Sequence, residues 1–160
     1  MAEDINKSVF LLLEQPFSNL IPDVECSDYS GCSFLLGSHT IKFRNAKVTP
    51  KKEGAFTALW KRDSEGKTVP FEEKDLFDFY IIMATQNSRT GYFIFPSHIL
   101  AEHGILSTED STGKRGFRLY PPWSCPDNKQ ALKTQAWQLC YFIEKSGVTG
   151  FEKIIQKQEK

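Results

Sequence analysis

The sequence has no apolar run near the length of a bilayer span. Its longest candidates, "VFLLL" and "FYIIMA", read as one face of a helix and a buried strand. The opening "MAEDINKSVF" is acidic and lacks the basic, apolar and small-residue order of a secretory signal, which sets the expectation of a cytoplasmic protein. Cysteine is sparse: the four residues Cys26, Cys32, Cys125 and Cys140 form no CxxC pair. A zinc site from Cys26, Cys32 and His39 matches no recurrent ligand spacing, so the thiols are read as structural in a reducing compartment. The three histidines, His39, His98 and His103, make no HxxxH or HExxH pattern, and no G-x-S-x-G, GxGxxG or P-loop is present. The commonest hydrolase, dinucleotide and nucleotide signatures are therefore absent, and no cofactor is expected.

Net charge is also lacking, because 20 Lys and Arg balance 20 Asp and Glu. The balance is uneven along the chain. Residues 1–30 carry about five net negative charges, whereas 41–67 carry about five net positive and 114–138 about four. The stretch "FRNAKVTPKKEGAFTALWKR" at 43–62 sets Arg44, Lys47, Lys51, Lys52, Lys61 and Arg62 among Phe43, Phe56 and Trp60, opposed only by Glu53. A second cluster, "GKRGFRLYPPW" at 113–123, places Arg115 and Arg118 beside Tyr120 and Trp123.

The chain length suits one domain with a single core, taken here as residues 1–160. Asp4 is placed to cap a helix with apolar positions Ile5, Val9, Leu12 and Leu13, closed by Pro16. "CSFLL", a turn from Gly37–Ser38 that includes His39, and "TIKFRNAKVT" predict a hairpin. In its second strand Ile41, Phe43, Asn45 and Lys47 alternate with Lys42, Arg44, Ala46 and Val48, which is mixed rather than core-like. "AFTALWKR" predicts one further strand, 67–73 a loop, and "LFDFYIIMA" and "GYFIFP" two apolar strands. Ser97 is expected to cap a short helix ended by Gly104. Asp127 and Gln130 predict a capping box for a helix near 128–145, with Leu132, Ala136, Leu139 and Ile143 inward and Gln130, Lys133, Thr134, Trp137 and Tyr141 on its flank. The order of elements implies a mixed α/β domain around a central sheet.

Cations hold phosphates by charge and hydrogen bonds, while aromatic planes stack on bases, so the two basic segments point to nucleic acid. Arg44, Lys47, Lys61, Arg62, Lys114, Arg115, Arg118 and Lys133 are the candidate backbone contacts. Trp60, Tyr120, Trp123 and Trp137 are candidate stacking or wall residues, each of which also suits a core. A metal-dependent nuclease is the alternative: two carboxylates would hold Mg²⁺ and a lysine would orient water, as in the PD-(D/E)XK enzymes. Glu25, Asp78 and Lys47 are its candidates, but the acid-x-Lys position reads Asn45-Ala46-Lys47. A further alternative is an accessory factor that binds a small anion or a protein.

Glu25 and Tyr29, "FRNAKVTPKKEGAFTALWKR", "GYFIFP", "GKRGFRLYPPW" and "KTQAWQLCYF" together resemble the MepB-like proteins of bacteria, in order from about residue 20 to 145. The resemblance implies a restriction-endonuclease-like α/β fold, with a mainly antiparallel central sheet flanked by helices, in a small cytosolic protein. It also implies nucleic-acid binding without established catalysis, and some relatives are encoded beside a multidrug efflux pump. DNA or RNA as partner, and the oligomeric state, are left open by it.

Overall fold

The structure, a computed structural model, describes residues 17–23, 29 and 31–144. The expected N-terminal helix, Glu25, Cys26 and the last sixteen residues lie outside these. The described part is the mixed α/β architecture expected, built on a six-stranded, mostly antiparallel sheet. Its strands are β1 (Phe17–Pro22), β2 (Cys32–Leu36), β3 (His39–Asn45), β8 (Phe79–Gln86), β9 (Arg89–Pro96) and β11 (Phe142–Glu144), in the spatial order β1-β2-β3-β8-β9-β11. Every adjacent pair is antiparallel except β3 and β8, where Ile41 faces Phe79 and Asn45 faces Met83 in parallel register.

The parallel pair explains why β3 is not the half-exposed strand its sequence implies. Parallel neighbours need a crossover, and here residues 46–78 supply one that lies over one face of the sheet. Strands covered on both faces must bury successive residues. Ile41, Lys42, Phe43 and Arg44 are accordingly all buried. Alternation then divides the interior. Ile41, Phe43, Phe79 and Ile81 join one cluster, while Tyr80, Ile82, Phe93 and Phe95 join the other.

The crossover carries β4 (Lys47–Val48), β5 (Ala55–Ala58), β6 (Trp60–Arg62) and β7 (Thr68–Pro70). β10 (Gly116–Leu119) completes a three-stranded sheet in the order β10-β5-β4, and β6 pairs with β7 as a two-stranded ribbon. "AFTALWKR" is thus two strands, not one. Thr57, Ala58 and Leu59 are buried in succession, which breaks the period of two and turns the chain from one sheet into the other. The loop expected at 67–73 contributes β7 to that ribbon.

Two helices flank the sheets. α1 spans Ser97–Glu102 and starts from Pro96 with no side-chain cap, so Ser97 is the first helical residue rather than the N-cap. Gly104, at φ +75°, ends it as expected, since that backbone conformation penalises a Cβ. α2 spans Lys129–Leu139. Its N-cap is Asn128, not Asp127: the Asn128 side chain accepts from the Ala131 N–H. Among the described residues no helix is long and apolar enough to cross a membrane.

α2 is rotated from its expected face. Leu132 is 49% exposed and Ala136 is exposed, whereas Ala131 and Gln138 are buried. Hydrogen bonds decide the rotation. Gln138 Oε1 accepts from the Tyr120 N–H at 2.9 Å and its Nε2 donates to the Arg118 carbonyl at 3.0 Å. Gln135 Nε2 donates to the carbonyls of Pro121 and Ser124. β10 is the outer strand of its sheet, and these glutamines satisfy backbone groups there that a leucine face would leave unpaired. The helix stops at Leu139, and Ile143 falls instead in β11 on the edge of β9.

Candidate nucleic-acid interface

Beside α2 the chain folds a groove of about 580 Å³ between the helix, β10 and the turn after α1. Lys114 enters from the loop before β10, Arg118 from β10 itself, and Lys133 from α2. Among the described residues, no Asp or Glu lines this volume. Tyr120, Trp137 and His103 supply its aromatic lining. The local folding is legible step by step: the Gln138 bonds fix α2 against β10, which sets the distance between Lys133 and Arg118.

A second lobe of about 610 Å³ continues from the first and shares Arg118, Tyr120, Asn128 and Ala131 with it. Lys51 and Lys52 border this lobe, opposed by Glu53 and Asp127. The 49–54 loop that brings them is held close by Gly54, at φ +88°, where a Cβ would come within 2.6 Å of the Leu119 carbonyl oxygen. Arg118 sits at the junction of the lobes. Its Nη1 donates to Thr49 Oγ1 at 2.9 Å and to the Glu53 carbonyl at 3.2 Å, and its guanidinium lies 5.9 Å from the Phe56 ring centre. It is oriented by neutral acceptors, so its charge is not cancelled by these bonds.

The remaining candidates lie elsewhere. Arg44 is fully buried, with Nη1 at 2.5 Å from Asp23 Oδ2 and a second bond to the Phe43 carbonyl. It cannot reach a phosphate, because β3 is covered on both faces. Lys42 shares the same carboxylate at 2.9 Å, and burial pulls its pKa below the usual lysine value while Asp23 resists the shift. Lys61 bonds both Glu72 and Asp75. Burial pulls its ammonium down, but those two hydrogen-bonded carboxylates outweigh it and hold the pKa above the ordinary lysine value.

Arg62 is exposed on β6, over the Trp60 ring and donating to the Gly66 carbonyl, in a region shared with Asp63, Glu72, Glu109 and Asp110. Lys47 lies over Tyr29 at 5.1 Å. Arg115 is exposed and donates to Thr68 Oγ1 across the ribbon. Trp123 packs edge-on against Phe142 under Arg89, which pairs with Glu144. Trp123 is therefore a wall of the second core cluster rather than of the groove.

The nuclease constellation is not brought together. Asp78 accepts from the Thr40 N–H at the start of β3 and lies 3.8 Å from His39, itself in the strand rather than the expected turn. Lys47 follows the far end of that strand, beyond Asn45. Five residues of strand, about 16 Å, separate Thr40 from Asn45 before Lys47 is reached. Glu25 lies outside the described residues. Among the described residues, no three His, Cys, Asp or Glu side chains cluster as a metal site.

The MepB-like family model matches residues 23–144, which contain the whole groove. The chain belongs to the MepB-like family. A solved structure titled "Crystal Structure of MepB" matches this MepB-like chain with 33% identity and a TM-score of 0.79, covering 89% of this chain and 95% of that one. A search of curated proteins returns no match. The architecture agrees with the endonuclease-like class that the resemblance implied.

Sequence reasoning singled out five groove residues, Lys114, Arg118, Tyr120, Lys133 and Trp137, and missed His103. His103 belongs to no histidine motif and is 34 positions from Trp137. Only the packing of α1 beside α2 reveals it.

Proposed function

We propose that this MepB-like protein binds nucleic acid along the two-lobed groove, without cleaving it. One observation carries the reading: Lys114, Arg118 and Lys133 converge from three elements on a volume that, among the described residues, no carboxylate lines. An anionic polymer is the partner such a surface selects, because each neutralised phosphate releases a counterion. Arg118 fixes the junction, Lys51 and Lys52 extend the track, and Tyr120 and Trp137 bound it. The chain is read as one cytoplasmic domain, and Asn45 in place of a carboxylate supports binding without catalysis.

Fluorescence anisotropy of labelled oligonucleotides tests this. With three phosphates neutralised, affinity should fall about 20- to 40-fold between 50 and 200 mM salt. The double variant Lys114→Ala, Lys133→Ala should weaken binding and flatten the log–log salt slope by about 1.4 to 1.8. Binding that ignores both salt and the variant would overturn the reading, and fragments forming with Mg²⁺ would restore the nuclease alternative.

A further inference from the structure

His103 is the groove's unassigned aromatic. It follows α1 directly, where Gly104 turns the chain, and its ring is stacked on Trp137 with centres 3.8 Å apart and planes 4° from parallel. Trp137 is half-buried and leans on Phe95, its ring centre 5.5 Å away, so the indole is anchored in the core. His103 is exposed. One imidazole face is covered by the indole, and the residue borders the cavity that holds Lys114 and Lys133.

We propose that the His103–Trp137 pair is a stacking step for one unpaired nucleobase, and that this step makes the groove select single strands over duplex. This rests on the nucleic-acid reading above and adds its strand class. A flat ring seated parallel on an anchored indole presents a ready surface for a third ring, and every base has a face to offer. In a duplex those faces are already stacked on one another and only edges and backbone are on offer. The lobe's volume, about 580 Å³, falls within the range of pockets that hold a nucleotide-sized group. Lys114 and Lys133 are then placed to take the phosphates flanking the stacked base, with Asn128 and Thr134 facing its edges.

The test compares three labelled ligands of equal phosphate number at 50 mM salt: a base-bearing single strand, the same strand as an abasic sugar-phosphate, and a duplex. The wild-type protein should bind the base-bearing strand at least about 5-fold more tightly than the abasic one, the lower end of what one stacked base contributes. His103→Ala, exposed and therefore tolerated by the fold, should bring the base-bearing strand down to the abasic level. His103→Phe, which keeps a flat ring, should restore it. Equal affinity for base-bearing and abasic strands, or an unchanged His103→Ala, would overturn the stacking step while leaving phosphate binding intact. If none of the three ligands binds, the nucleic-acid reading falls and this inference with it.

Discussion

In the groove's first lobe, Lys114, Arg118 and Lys133 meet no lining carboxylate among the described residues, whereas on β3 Lys42 and Arg44 are buried against Asp23. All five come from the two segments that are cation-rich in sequence. The β3 pair is structural. Among the described residues, two cations removed from water share the Asp23 carboxylate, and both Arg44 Nε and the nearby Tyr80 hydroxyl are buried without a hydrogen-bond partner. Lys114 and Lys133 are instead exposed, and Arg118 is half-buried with neutral hydrogen-bond acceptors. Local density of Lys and Arg therefore does not identify a binding face. What distinguishes the two regions is whether a carboxylate is supplied by the fold.

The largest effect that would sharpen this contrast is at Asp23. Asp23→Ala removes the carboxylate that Lys42 and Arg44 share among the described residues, and should destabilise the protein by about 3–5 kcal/mol in urea unfolding. Oligonucleotide affinity of the protein that remains folded should not change. A loss of affinity larger than the loss of folded protein would break the comparison by tying β3 to the groove.

Alkaline pH gives an intermediate effect. Burial, with Asp23 nearby, pushes the Cys32 thiol up to about 12 from an ordinary 9.0. The unfolded chain releases this proton above pH 9 while the folded chain holds it until about pH 12, so stability falls as pH rises across that window. Cys32→Ala should remove up to about 1.4 kcal/mol per pH unit of that slope above pH 9, whatever its constant cost to packing. Unfolding midpoints at pH 8, 9 and 10 for both proteins measure it. An identical slope would mean that the thiol is not shielded as its full burial implies.

The smallest effect is expected at Lys61. Its pairs with Glu72 and Asp75 are partly exposed, and Lys61→Ala should cost no more than about 1 kcal/mol. It should also leave binding and its salt dependence untouched. A flattened salt slope would return the ribbon to the binding surface.

Much of the sheet was legible because its strands announce themselves in short-range pattern. "CSFLL", the Gly37–Ser38 turn, "FYIIMA" and "GYFIFP" are found where alternation and turn residues put them. The face of α2 was not legible. Leu132 and Ala136 look inward by period, yet Gln135 and Gln138 dock the helix, because the edge of β10 needs donors and acceptors more than apolar contact. The candidate site was half legible. Cation and aromatic clustering singled out the groove-lining Lys114, Arg118, Tyr120, Lys133 and Trp137, but equally Arg44 and Lys61, whose carboxylate partners are 21 and 11–14 positions away.

By itself, the sequence determined the family, the mixed α/β composition and the presence of two basic aromatic segments, since these depend on residue identity and near-neighbour spacing. Tertiary structure alone decided which cations are spent on the interior and which line the groove, and it alone placed His103 on Trp137. The physical reason is that charge and ring planes act over a few ångströms in space. The parallel β3–β8 pair and the glutamine-docked helix bring together atoms that the chain keeps dozens of residues apart.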